Sequence, residues 1–131
     1  MADSGDIRTV LNDKYAKMMT LYESGDMKSF SEHYTEDCKL LLPGKAEQNG
    51  RKVLEDILRS MVTSGIAKIA ITQEEAVGFG DLAYSCGIVT HFKDDGSLID
   101  TEKFLAILKK INGNYYLYID CGNSNGDGKK A

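Results

Sequence analysis

Apolar residues recur at three- and four-residue steps through the first part of the chain, between Ile7 and Tyr22. This spacing predicts an α-helix with one apolar side. The helix should end at Ser24–Gly25, because glycine commonly follows the last residue of a helix. Asp26 is then suited to cap a second, shorter helix. The apolar face of that helix would consist of Met27, Phe30, His33 and Tyr34.

The middle of the chain contains one strand-like run and one more helical pattern. The run "CKLLLPG" predicts a short buried strand that is broken at Pro43–Gly44. In "RKVLEDILRSMVTSG", apolar residues return at helical spacing, and Gly65 provides the stop signal. The first half of the chain is therefore predicted to be mainly helical.

Everything after this helix has the composition of β-strands. Four β-prone runs are separated by "GFGD", "KDDGS" and "NGN", short glycine-containing connections that are typical of hairpins. The pattern predicts an antiparallel meander that follows the helices, which is an α+β architecture with one face of the sheet packed on the helices. We expect one domain over residues 1–125, followed by a flexible C-terminal tail at 126–131.

Size and charge narrow the function classes. The chain has 131 residues and a net charge of -4. Nucleic acids and anionic membranes are bound through clustered cations, so neither is an expected partner. The sequence contains no apolar run of transmembrane length and no features of a signal peptide at its start, which predicts a cytoplasmic protein. The cysteines, Cys38, Cys86 and Cys121, are far apart, and we expect free thiols in the core.

Metal and cofactor chemistry find no support in the sequence. Neither His33 nor His91 has another ligand at metal-binding spacing, so no metal site is predicted. The "GFGD" turn lacks the helix and the lysine of a phosphate-binding loop. We therefore expect no cofactor.

Four stretches carry a resemblance to a known family: "LYESGDMKSFSEHYTEDCKLLLPG", "NGRKVLEDIL", "GFGDLAYSCG" and "KFLAILKKINGNYYLYIDCGNSN". Together they resemble the nuclear-transport-factor-2-like superfamily, and within it the SnoaL-like branch. That branch is related to ketosteroid isomerases, polyketide cyclases and the association domain of calcium/calmodulin-dependent protein kinase. The resemblance implies a cone-shaped, cystatin-like fold, in which a strongly curved, mostly antiparallel sheet wraps around N-terminal helices and leaves an apolar pocket.

The resemblance also assigns positions to the three catalytic groups of ketosteroid isomerases. The carboxylate base would fall at Leu42 and the oxyanion-binding tyrosine near Met18, and neither side chain is competent for its role. Tyr15 and Tyr22 lie one turn away from Met18 on the same stripe. Glu102 matches the protonated acid. Steroid isomerase chemistry therefore lacks two of its three groups.

Alternation along the last two strands predicts which residues share a face, and the family geometry that the resemblance implies turns the faces with two acids towards the pocket. Glu102 shares a face with Phe104 and Leu108, and Asp120 shares one with Tyr118. Burial beside an apolar pocket would raise the pKa of Asp120 and suit it to acid–base work. Alternatively, Asp120 only bonds a nearby tyrosine hydroxyl or backbone amide. The predicted ligand-binding residues are Met18, Tyr22, Leu42, Leu58, Phe104, Leu108 and Tyr118.

Three function classes stay open from the sequence. The first is a small-molecule-binding domain with an apolar pocket, and the second is an isomerase, cyclase or dehydratase of an apolar cyclic substrate that uses Asp120 and Glu102. The third is an oligomerisation module like the kinase association domain. A homodimer is expected through the outer sheet face, because Leu105, Ile107 and Ile111 alternate with lysines on that side of their strand.

Overall fold

The computed structural model describes residues 4–125, which contain three helices and six strands. The helices are α1 (Ser4–Ser24), α2 (Met27–Ser31) and α3 (Arg51–Thr63). The strands are β1 (Tyr34–Leu41), β2 (Gln48–Asn49), β3 (Lys68–Phe79), β4 (Leu82–Phe92), β5 (Leu98–Ile111) and β6 (Asn114–Ser124). The predicted tail, 126–131, lies outside the described residues.

The junction between the first two helices follows the sequence signals. Helix α1 ends at Ser24, and Gly25 takes a positive φ of 86° that side chains disfavour. The Asp26 carboxylate accepts a 3.1 Å hydrogen bond from the backbone N–H of Ser29 and so caps α2. Helix α2 has only five residues, and Tyr34 begins β1 instead of extending the helix. The prediction that Tyr34 belongs to the second helix was therefore wrong.

Strands β3 to β6 form the expected antiparallel meander within one six-stranded sheet of order β2-β1-β6-β5-β4-β3. The sequence did not predict the other edge of this sheet. There β1 pairs in parallel with β6, and the two-residue strand β2 pairs with β1. The α+β class and the mostly antiparallel sheet are confirmed.

Two irregularities help to curve the sheet. In β3 the register shifts between Gln73 and Glu75, so an extra residue stands opposite Gly87 of β4. A β-carbon at Gly87 would lie 2.0 Å from the backbone oxygen of Thr72, so only glycine fits this close approach. A second shift separates Ile107 from Leu108 in the pairing of β5 with β6. Such bulges bend and twist the strands that contain them.

The core lies between the helices and one face of the sheet. Its largest fully buried hydrophobic side chains are Tyr22, Leu11, Met18, Leu40, Leu108 and Cys38. All three cysteines are free, but Cys86 and Cys121 are only partly buried. The pairing places both beside Leu105 in one row across three strands, on the outer face of the sheet. The prediction of core thiols therefore holds for Cys38 alone.

Within residues 4–125, none of the helices combines the length and the apolar character that crossing a bilayer requires.

Candidate functional site

An apolar cavity of about 130 Å³ lies between the helices and the inner face of the sheet. Helices α1, α2 and α3 form one side of it, and strands β1, β3, β4, β5 and β6 form the other. Helix α3 contributes Leu54, Ile57, Leu58 and Met61, which recur at helical spacing along its apolar side. The cavity thus lies where the packing of α3 against the sheet leaves space.

The predicted ligand-binding residues divide into two groups. Met18, Leu42, Leu58 and Phe104 line the cavity. Tyr22 and Leu108 are buried in the core but are not among its lining residues. Tyr118 lies at the β5–β6 register shift, and the Lys109 ammonium is 3.7 Å from the centre of its ring. The irregularity breaks the strict alternation from which the position of Tyr118 was predicted.

Asp120 lines the cavity and accepts a hydrogen bond from a tyrosine. The Tyr34 hydroxyl donates to Asp120 Oδ2 at 2.6 Å. Burial raises the pKa of Asp120, the hydrogen bond from Tyr34 opposes that rise, and the negative charge of Glu102 adds to it. Burial also raises the pKa of Tyr34 well above its ordinary value, with a further contribution from Asp120. Both sequence readings of Asp120 therefore describe the same group, an acid in an apolar wall that also bonds a tyrosine.

A second tyrosine reaches the cavity from α1. Tyr15 lines the wall, and its ring packs edge-on against Phe104 at 5.9 Å. Its hydroxyl is buried and, among the described residues, has no partner in hydrogen-bonding geometry. The Ser85 hydroxyl lies nearby and donates its own hydrogen bond to Gln73 Oε1 at 2.7 Å. Burial raises the pKa of Tyr15, so the hydroxyl keeps its proton at neutral pH. The site therefore contains a buried donor that a ligand oxygen can satisfy.

Glu102 also lines the cavity, from β5, and is partly buried. Its Oε1 atom would lie 3.6 Å from a β-carbon built on Gly122, an ordinary van der Waals contact, so the carboxylate lies beside Gly122 of β6. Glu102 and Asp120 interact electrostatically. The structure thus places at one cavity the two acids that were predicted from the sequence as acid–base residues.

One site residue was missed by the sequence reasoning. His91 is not among the site residues predicted from the sequence, but it is only 6% exposed and lines the cavity. Its Nδ1 atom lies 2.6 Å from Asp100 Oδ1, on the adjacent strand. A carboxylate accepts the Nδ1 proton, which leaves Nε2 as the other ring nitrogen for the cavity. No local signal pointed to this pair, because the β4–β5 register shifts between His91 and Phe92, and an unshifted hairpin would place Ile99 opposite His91.

Among residues 4–125, no group of three or more His, Cys, Asp or Glu side chains is arranged to hold a metal ion. The polar groups at the cavity are instead two carboxylates, two tyrosine hydroxyls and one imidazole. This set can donate and accept hydrogen bonds and can exchange protons.

Comparison with known proteins identifies the fold. No family model matches the sequence, and no curated protein matches it. An NTF2-like protein with a cystatin-like fold from Novosphingobium aromaticivorans is 17% identical; the match covers 93% of this chain and 84% of that one, with a TM-score of 0.75. A cystatin-like protein of unknown function from Nostoc punctiforme is 15% identical, with 97% of each chain covered and a TM-score of 0.80.

A third solved structure is a ketosteroid isomerase-like protein from Erwinia carotovora atroseptica. It is 20% identical to this chain, and the match covers 90% of this chain and 95% of that one, with a TM-score of 0.72. At such identities the likeness establishes the fold alone. The NTF2-like, cystatin-like fold implied by the sequence is confirmed, and assignment to the SnoaL-like branch stays a prediction.

Proposed function

We propose that the protein binds a small apolar molecule of about one ring in this cavity, with a single oxygen directed at Tyr15 and Asp120. The observation that carries the proposal is the buried Tyr15 hydroxyl, which has no hydrogen-bond partner among residues 4–125, in a mainly apolar wall. An unsatisfied buried donor costs roughly 1–3 kcal/mol. A ligand carbonyl or hydroxyl oxygen would accept this hydrogen bond and remove the cost.

The size of the cavity limits the ligand. Its volume of about 130 Å³ is well below the roughly 300–1,000 Å³ of pockets for drug-sized ligands. It is comparable to an engineered cavity of about 150 Å³ that holds benzene in another protein. Phenols and cyclohexenones are of this size, whereas a four-ring steroid is not.

The charge of the wall favours uncharged ligands. None of the described residues that line the cavity is lysine or arginine, and two of them are carboxylic acids. A phosphate would meet negative charge without a compensating cation, and burying an unpaired charge is costly. We therefore expect the cavity to exclude nucleotides and other phosphorylated compounds.

Ligand titration followed by amide NMR tests the proposal. Phenol and cyclohex-2-enone should shift resonances of wall residues, while a steroid and a nucleotide should leave them unchanged. Leu58→Phe, which fills the cavity, should abolish the shifts. Val62→Phe, one turn along the same helix on an exposed position, should preserve them. Tighter binding of the steroid or nucleotide, or undiminished binding by Leu58→Phe, would refute it.

A second candidate function is acid–base catalysis on such a ligand, as an isomerase, cyclase or dehydratase. The specific observation in its favour is the raised pKa of Asp120 beside a second carboxylate, Glu102. Two acids facing one apolar cavity resist ionising together, which separates a proton donor from a base. The pairing of His91 with Asp100 adds an oriented imidazole to the same wall.

Turnover assays on the ring compounds that bind would test this second function. Asp120→Asn and Glu102→Gln should each lower the rate by at least about a hundredfold, the usual contribution of general acid–base catalysis. Both variants should still bind the ligand. Unchanged rates in both variants would contradict acid–base catalysis by these residues and leave ligand binding as the proposed function.

We further propose that the protein is a homodimer through the outer face of the sheet. Leu105 is 46% exposed at the centre of β5, and Cys86 and Cys121 flank it on β4 and β6. Ile107 is partly exposed on the same side of the strand. An exposed apolar patch of this kind commonly marks an interface, and a twofold axis would bring two copies of it together.

A further inference from the structure

A groove separate from the cavity runs between α1, α2 and the start of β6. Its volume is about 530 Å³, and it is open to solvent along one side. Helix α1 contributes Val10, Lys14, Lys17 and Leu21, which recur at steps of three and four and so form one helix face. This face is distinct from the stripe of Tyr15 and Met18 that lines the cavity.

Lys14 is held inside this groove by two neighbours. Its Nζ atom lies 2.9 Å from Nδ1 of His33 and 5.3 Å from the centre of the Tyr116 ring. Both Lys14 and His33 are partly buried. The amine is therefore fixed in place while remaining in contact with a space large enough for a small molecule.

Burial and a neighbouring lysine disfavour the protonated form of Lys14. Burial lowers the pKa of Lys14 to about 8, and the neighbouring Lys17 acts in the same direction. Burial lowers the pKa of His33 to about 4, aided by Lys14 and Lys17 and opposed by Glu32. Asp13 also faces the groove from α1, but it is not among the groups that shift the pKa of Lys14. At neutral pH the imidazole is therefore uncharged, and its Nδ1 can accept a hydrogen bond from the lysine amine.

We propose that Lys14 is a reactive amine that forms a reversible imine with small aldehydes or ketones bound in this groove. The uncharged Nζ attacks the carbonyl carbon and forms a C–N bond, which gives a carbinolamine. The nitrogen loses a proton, the former carbonyl oxygen leaves as water, and a C=N bond remains. One carbonyl compound and one amine thus give one imine and one water, with no oxidant or reductant.

The surroundings of Lys14 favour each part of this reaction. An amine with a pKa of about 8 is roughly one-quarter uncharged at pH 7.5, against about 0.1% for an ordinary lysine. His33 can accept the proton that the nitrogen loses and return it to the departing oxygen. The Tyr116 ring offers a flat apolar surface to the carbonyl compound. Desolvated lysines are activated as nucleophiles in this way.

Reductive trapping on the full-length protein tests the proposal. Benzaldehyde and cyanoborohydride convert any imine into a stable benzyl-lysine, which peptide mass spectrometry locates. At pH 7.5, Lys14 should be labelled at least about tenfold faster than Lys28, an exposed lysine on α2 that pairs with Glu32. The labelling rate of Lys14 should be half-maximal near pH 8.

Three variants test the contributions of Lys14, His33 and Lys17 to the labelling. Lys14→Arg keeps the positive charge and should eliminate labelling in that peptide. His33→Gln should slow labelling of Lys14 by at least about threefold, because the adjacent base is lost. Lys17→Met, at an exposed position where folding should be unaffected, removes a neighbouring positive charge, so the pKa of Lys14 should rise and the half-maximal pH of its labelling should move upwards. Labelling of Lys14 no faster than that of Lys28, or a pH profile unmoved by Lys17→Met, would overturn the proposal.

Discussion

The Tyr34 hydroxyl and the Asp120 carboxylate are joined by a 2.6 Å hydrogen bond across the pair of parallel strands β1 and β6. The two residues are 86 positions apart in the chain. Their contact exists because β6 returns beside β1 at the end of the meander. The acid at the cavity is thus positioned by the only parallel pairing among the described strands.

Replacing Tyr34 with phenylalanine should raise the pKa of Asp120 further. The hydrogen bond from Tyr34 is the contact that opposes the effect of burial, and the substitution removes it without changing the ring. Carboxyl ¹³C NMR over a pH titration measures the change. Unfolding free energy should also fall by about 1–3 kcal/mol, because a buried acceptor loses its donor. Tyr118→Phe is the matched control, and an equal shift of the Asp120 pKa in that variant would contradict the prediction.

Gly87→Ala should destabilise the fold by more than about 3 kcal/mol, beyond the usual range for overpacking. The new methyl group would lie 2.0 Å from the backbone oxygen of Thr72, which cannot move aside without disturbing the β3–β4 pairing. Gly78→Ala in β3 is the control, since its nearest contacts are 3.7 Å away. Urea unfolding compares the two, and similar midpoints would contradict the close approach.

Leu105→Glu should convert a dimer into a monomer, because two buried carboxylates would meet at the proposed interface. Val62→Glu on α3 alters a residue of equal exposure, 46%, away from that face, and should leave the dimer intact. Sedimentation velocity at micromolar concentration distinguishes these states. A wild-type protein that sediments as a monomer would exclude the interface.

Local patterns in the sequence predict the fold well. The Asp26 cap, Gly25 after α1 and the glycine turns between β3 and β6 act within a few residues, so the sequence displays them directly. The parallel pairing of β1 with β6 joins distant parts of the chain and leaves no local pattern. Tyr34 was placed in a helix for that reason, because its strand is defined by a distant partner.

The site was predictable where strict alternation holds. Asp120, Glu102 and Phe104 reach the cavity as expected. Tyr118 does not, because the register shift between β5 and β6 interrupts the alternation. His91 was missed for a different reason: its burial depends on the packing of strands around it, and its role depends on Asp100 in the next strand.

The unfolding free energy of Asp120→Asn, compared with that of the wild type, should increase as pH rises. The pKa of Asp120 is raised in the folded protein above its ordinary value of 3.8, so between these two values the folded state binds more protons than the unfolded state. Wild-type stability therefore falls as pH rises through that window, and the loss is complete above the folded pKa. An asparagine cannot ionise, yet its side-chain oxygen can still accept the Tyr34 hydrogen bond.

Asp95 provides the control for this pH dependence, because its pKa is lowered instead of raised. Hydrogen bonds from Ser97 lower the pKa of Asp95, so its charged form stabilises the fold above the ordinary value, and this contribution is lost as pH falls through the folded pKa. Asp95→Asn should therefore be less stable than the wild type at neutral pH and equal to it in acid. Urea unfolding between about pH 3 and pH 8 measures both differences. Burial raises the pKa of Asp120, whereas hydrogen bonding lowers that of Asp95. As pH rises, the stability of Asp120→Asn relative to the wild type should therefore increase, and that of Asp95→Asn should decrease. Changes in the same direction would mean that burial does not dominate the pKa of Asp120.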